Sequence, residues 1–206
     1  MQPIFSRNID YRRIAFLNWR IEGETPILNM FNIAEGYLEA ALQLCVVCVE
    51  DNEDKKADIL VFPILANANH GIELYLKGIN WILNKLTIAD RRIEGGHNIK
   101  MLYETIRSKL RSYPGNLKVK DFNKALKGLK NYIDELFQRI EATPSNDKMD
   151  FARYPISTDY EEHFYVGRIG TVEIDLENFY YRFTDIKEQL DRISKYLYYD
   201  ELGHEC

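Results

Sequence analysis

The sequence predicts a mainly α protein, an antiparallel helical bundle of about five helices with a small β-hairpin before the last one. Three observations predict it. Ile72, Leu76, Ile79, Leu83 and Leu86 alternate at spacings of four and three, the narrow apolar seam of a helix packed in a bundle. Leu176, Phe179, Phe183, Ile186, Leu190, Ile193 and Leu197 repeat that alternation over seven positions in register. Between these stretches stand clusters of turn formers, and no internal repeat or low-complexity tract is present.

An N-terminal arm, residues 1–27, precedes the first helix, which is expected from about Leu28 to Glu50 with Thr25 or Asn29 near its start. It ends at Glu50, Asp51, Glu53 and Asp54, which read as a solvated loop. The second helix is expected from about Asp58 to Leu86, and Pro63 marks either its regular start or a kink. On a face apart from its apolar seam, His70, Glu73, Lys77, Asn80 and Asn84 follow the same helical spacing. Gly95-Gly96 stops the chain before a third helix, His97 to about Ser112, whose stripe is Ile99, Leu102, Tyr103, Ile106 and Leu110.

Pro114-Gly115 ends that helix. A fourth, about Val119 to Glu141, sets Phe122, Leu126, Leu129, Ile133, Leu136 and Ile140 on one side and Lys120, Lys124, Lys127 and Asn131 on the other. Residues 142–174 lose the helical period, with Thr143, Pro144, Ser145, Asn146, Pro155 and Ser157 as turn formers. A hairpin is expected there, His163 to Val166 and Thr171 to Ile174 flanking the turn Gly167-Arg168-Ile169-Gly170. The last helix, about Asp175 to Tyr199, carries the longest seam, and a homodimer through 175–199 is expected.

A chain of 206 residues, 46% of them apolar and 29% charged, has the composition of one globular domain spanning 1–206. Met1 to Asp10 contains Arg7 and Asp10 and no apolar core, so a secretory signal is not expected and a cytoplasmic location is. The most apolar stretch, Ala40 to Val49, is half of the ~20 residues a membrane helix needs, so no membrane span is expected. The three cysteines include a C-x-x-C, Cys45 and Cys48, flanked by Leu44, Val46, Val47 and Val49. That setting predicts two thiols buried on a helix rather than a redox or zinc pair.

The four histidines form no short ligand motif with acids, and neither a phosphate-binding G-x-x-x-x-G-K loop nor a G-x-G-x-x-G is present. No metal and no cofactor are therefore expected. The overall net charge of −5 gives no global argument for nucleic acid. Between Lys100 and Lys130, however, nine basic residues stand against two acidic ones, net +7, which leaves −12 for the remainder. A stripe of lysines on one helix face can follow a phosphate backbone, although a charged outer face more often serves solubility alone. Lys120, Lys124, Lys127 and Lys77 are the candidates for RNA contact.

Three patches together resemble the HEPN superfamily, helical-bundle proteins of bacterial toxin–antitoxin modules, nucleotidyltransferase operons and phage-defence systems. His70-Gly71-Ile72-Glu73-Leu74-Tyr75-Leu76-Lys77 is similar to that family's helix with a Glu and, four residues on, a Lys in an apolar setting. Gly96-His97-Asn98-Ile99-Lys100-Met101-Leu102 is similar to its Gly-His followed by an amphipathic helix. Ala152-Arg153-Tyr154-Pro155 is similar to its Arg-Tyr-Pro after the fourth helix. The patches frame residues from about 28 to 199, and the resemblance accounts for neither the arm nor the hairpin.

The resemblance implies, for catalytic members, a metal-independent endoribonuclease in which an Arg and a His four to six residues later face a dimer cleft. The His would move protons between the 2′-hydroxyl and the leaving oxygen, and the Arg would stabilise the phosphate. That spacing is met by Arg91 or Arg92 with His97, across Gly95-Gly96, so the pair need not share a face. Without it, the resemblance is to non-nuclease branches that bind nucleotides or dock a partner enzyme such as a nucleotidyltransferase or defence effector. The candidate catalytic residues are His97, Arg153, His70, Glu73 and Arg92. The alternative reading of His70, Glu73 and Lys77 is a buried polar network in which Glu73 accepts hydrogen bonds from a neighbouring helix or from Arg153.

Overall fold

The computed structural model describes residues 3–17, 26–87, 93, 95–140, 149–157, 159–166 and 172–203. Six α-helices stand among them: α1 (Pro26–Glu50), α2 (Ala57–Leu86), α3 (Ile99–Ser112), α4 (Val119–Ala125), α5 (Lys127–Ile140) and α6 (Leu176–Lys195). A 3-10 turn, Tyr11–Arg13, lies in the N-terminal arm, and a π-helical stretch, Tyr196–Glu201, continues α6.

The short loop after α1 turns the chain back on itself, so α1 and α2 pair antiparallel. Glycines set how closely they approach. A Cβ on Gly71 would stand 2.7 Å from Leu38 Cγ, and one on Gly78 only 2.3 Å from Phe31 Cε1. Residue 71 thus lies opposite 38 and residue 78 opposite 31, the descending register of an antiparallel pair. α6 also runs antiparallel to α1: the Cys45 thiol donates to the Leu176 carbonyl at 3.1 Å, and Lys187 pairs with Glu39 eleven residues further along α6. Burial pushes Cys45 up to about 11, with Cys48 beside it adding to the effect, which leaves an inert thiol.

α2 is the central helix. Its seam residues Ile72, Leu76, Ile79 and Leu83 are buried, and so are Glu73, Asn80 and Asn84 on the polar spacing. α1 and α2 are long and apolar enough, by length and composition, to cross a membrane. Core helices of a bundle can have the same composition, and both contribute buried residues to the core here.

Three boundaries differ from the sequence reading. The third helix begins at Ile99, because the Asn98 side chain caps it by accepting from Met101 N at 3.0 Å, and this leaves His97 just outside the first turn. The fourth helix is two. Leu126 leaves helical geometry, and beside the break a Cβ on Gly128 would meet Asp185 Oδ2 of α6 at 3.2 Å. The last helix is regular to Lys195, where it widens into the π-helical stretch.

The hairpin is not formed: no strand occurs among the described residues, where the isolated bridge Ile156–Glu162 is the nearest approach to one. Its turn, 167–170, lies outside the described residues. His163 and Phe164 are both buried, and Tyr165 packs on Phe62 at 5.4 Å, so three consecutive side chains face protein. A half-exposed strand needs alternation, and this segment lacks it. The seam of α6 is occupied inside the chain, with Phe179, Phe183, Ile186, Leu190, Ile193 and Leu197 all buried.

Candidate functional site

His97, just ahead of α3, lies over Glu73 in the middle of α2. His97 Nδ1 lies 2.9 Å from Glu73 Oε1, and Lys77 Nζ, one turn along α2, lies 2.8 Å from the same oxygen. His70 Nδ1, one turn before, lies 3.6 Å from Oε2. Gly96 makes the approach possible through a left-handed φ of +83°, a conformation for which a side-chain-bearing residue is strained. Tyr37 of α1 packs edge-on against the His70 ring at 4.5 Å.

The electrostatics follow from burial. The Glu73 side chain is 8% exposed and that of Lys77 14%, so the carboxyl group lies at the floor of the cluster against the ammonium group that pairs with it. With a carboxylate acceptor, the 2.9 Å contact is made by His97 donating from Nδ1. A neutral His97 then carries its lone pair on Nε2, and its ring is 67% exposed. The arrangement is an oriented, solvent-facing imidazole on a buried acid, able to take or give a proton.

No family model, curated protein or solved structure matches the chain.

Four of the singled-out residues, His70, Glu73, Lys77 and His97, form one cluster. Arg153 does not join them by any hydrogen bond or ion pair among the described residues. Its guanidinium sits 5.9 Å from the centroid of the neighbouring Tyr154 ring. The turn that carries it packs through Phe151 and Phe164 above the first turns of α2, where Tyr165 meets Phe62. Arg92 and Arg91 lie outside the described residues. Lys120, Lys124 and Lys127 are exposed, the first two on α4 and the third beyond the break. Lys77 is committed to Glu73 rather than to the surface. Among the described residues, no group of His, Cys, Asp and Glu able to hold a metal occurs.

A cleft of about 760 Å³ opens between α2, α5, α6 and the segments around 151–165 and 172–175. Phe62, Leu65, Phe151, Phe164 and Phe179 line it, and Tyr132 in its wall donates to Asn69 Oδ1 at 2.7 Å. The sequence reading missed this cleft. The available signal was the aromatic content of the irregular segment, since Phe151, Phe164 and Tyr165 are too apolar for a solvated loop.

Proposed function

We propose that the protein is a HEPN-like member of a bacterial defence or toxin-type system that binds or cleaves RNA as a cytoplasmic homodimer. The observation that carries this reading is the 2.9 Å contact between His97 and Glu73. It joins two of the patches on which the resemblance rests, twenty-four positions apart in the chain. In the cleavage step, Nε2 of His97 takes the 2′-hydroxyl proton, the 2′-oxygen attacks the adjacent phosphorus, and the 5′-oxygen leaves with a returned proton. No metal is required. Glu73 orients the ring, and Lys77 pairs with the same carboxyl oxygen beneath it.

The test is incubation of the purified protein with labelled total RNA in EDTA, alongside His97→Ala and Arg153→Ala. Cleavage that survives EDTA and falls at least ~10²-fold in His97→Ala supports the nuclease. A folded protein that cleaves nothing under any condition rejects it.

A second reading keeps the resemblance without cleavage, as a module that docks a partner such as a nucleotidyltransferase or defence effector. It is supported by the saturation of Glu73, whose two oxygens are already faced by Lys77, His97 and His70. On that reading the cluster fastens the start of α3 to α2.

A further inference from the structure

We propose that the cleft between α2, α5 and α6 binds a small, uncharged aromatic molecule bearing a carbonyl group, with the Asn69 amide as the hydrogen-bond donor at its inner end. The site lies apart from the His97–Glu73 cluster and does not depend on whether RNA is cleaved.

The inner end of the cleft holds a buried amide with one end unused. Asp58, Phe62, Leu65 and Asn69 follow one another along α2 at spacings of four, three and four, so they share one face of the helix. The first three line the cleft, and Asn69 continues their row to the point where the Tyr132 hydroxyl, in the cleft wall, donates to its Oδ1 at 2.7 Å. Asn69 is 5% exposed, and its Nδ2 makes no hydrogen bond among the described residues. A buried donor of this kind costs free energy until an acceptor meets it. The ligand atom that completes it is therefore an acceptor, and a carbonyl oxygen suits a neutral N–H donor.

The walls and the rim select the remainder of the molecule. With about 760 Å³ of space and walls of Phe62, Leu65, Phe151, Phe164 and Phe179, the cleft has the size and lining of a small-molecule site, for which ~300–1,000 Å³ is usual. Phe179 stacks on Phe183 at 4.0 Å, and Tyr132 stands edge-on to Phe183 at 4.7 Å. A flat ring entering there meets both aromatic faces and aromatic edges, the arrangements that rings prefer. At the rim, Asp58, Glu135, Glu173 and Asp175 stand against Arg139 and Arg182, and Arg182 is taken up by Glu135 at 2.8 Å. Like charge facing like charge is costly, so an aromatic carboxylate is rejected where a neutral ketone of the same shape is held.

The experiment is an NMR titration of the full chain with three probes. They are methyl naphthyl ketone, naphthalene, which has the rings without the acceptor, and naphthoate, which has the rings and a negative charge. The ketone should bind about tenfold more tightly than either of the others, with nuclear Overhauser contacts from its rings to Phe62 and Phe179. Asn69→Leu should weaken the ketone about tenfold and leave naphthalene unchanged, and the retained naphthalene binding shows that the variant is folded. Leu65→Trp, which fills the cleft from the α2 side, should abolish binding of both, and it decides the location if Asn69→Leu does not fold. Absence of saturable ketone binding, contacts to any other part of the chain, ketone binding that survives Leu65→Trp, or a naphthoate affinity equal to that of the ketone each overturns the site as described. A ketone affinity that is no greater than that of naphthalene, or that is indifferent to Asn69→Leu in a folded variant, removes the amide as the donor and with it the carbonyl requirement.

Discussion

Glu73 on α2 and His97 ahead of α3 share a hydrogen bond of 2.9 Å, and its two ends differ sharply in exposure: 8% for the carboxylate and 67% for the imidazole. Removing either end therefore has different consequences. Taking away Glu73 strands Lys77, a largely buried ammonium paired with that carboxylate. Glu73→Ala should lower unfolding stability by about 3 kcal/mol in urea titrations, and adding Lys77→Met should restore most of it. If Glu73→Ala stays within ~0.5 kcal/mol of the parent, the carboxylate does not anchor the cluster.

His97 sits outside the first turn of α3 and is largely solvated, so His97→Ala should cost under ~1 kcal/mol while abolishing any EDTA-resistant RNA cleavage. A variant equally stable and equally active would remove His97 from the chemistry. Equal losses in stability and activity would assign it to the scaffold.

The helices were legible because periodicity reports burial directly. Ile72 to Leu83 and Leu176 to Leu197 each show the four-three alternation, and all but Leu176 are buried. The polar stripe of α2 was harder to interpret, because Glu73, Asn80 and Asn84 have the spacing of a solvent face. They are interior only because the chain returns over them: Asn80 donates to the Leu102 carbonyl of α3 and accepts from Lys109. Spacing within one helix carries no information about which later segment covers it. For the same reason the sequence could name Glu73, His97 and Arg153 as candidates but could not decide whether they converge. The His97 contact is made, whereas Arg153 belongs to a turn held by Phe151 and Phe164 over the first turns of α2.

Glycine substitutions in the α1–α2 pair should split by sign. Gly71 and Gly78 face α1 where a Cβ would enter Leu38 and the buried Phe31 ring, so Gly78→Ala should destabilise by about 1–3 kcal/mol despite better helix propensity. Gly36, exposed in the middle of α1, has nothing within 4 Å of a built Cβ. Gly36→Ala should stabilise by about 0.5–1 kcal/mol in the same denaturation assay. Matching signs at the two positions would contradict the close approach.

If the exposed lysines contact RNA, salt will report it. Lys120, Lys124 and Lys127 make no ion pair among the described residues, so each is free to displace a counterion from a phosphate. Replacing all three by Gln should weaken binding uniformly across sequences and reduce the slope of log K against log salt by about 2 for single-stranded RNA. An unchanged slope would make this face a solubility feature and no more.

The final prediction concerns the carboxylate that closes the C-terminal end of the fold. Glu201 accepts from Tyr113 Oη at 2.8 Å, Tyr196 Oη at 2.8 Å, Asn116 N at 2.8 Å and Leu117 N at 3.2 Å. It thereby ties the turn between α3 and α4 to the π-helical stretch after α6. Burial alone would raise its pKa, but the four donors outweigh that and hold it below its ordinary value of 4.5. A depressed carboxylate contributes stability that is complete above its unfolded value and is lost as pH falls through the lower folded value. Glu201→Gln should therefore cost about 1 kcal/mol at neutral pH, allowing for partial exposure, and progressively less as pH falls from the ordinary value through the lowered folded one. Thermal melts of the two proteins should converge on acidification, and a gap that stayed constant with pH would mean that the charge on Glu201 is not what holds the two segments together.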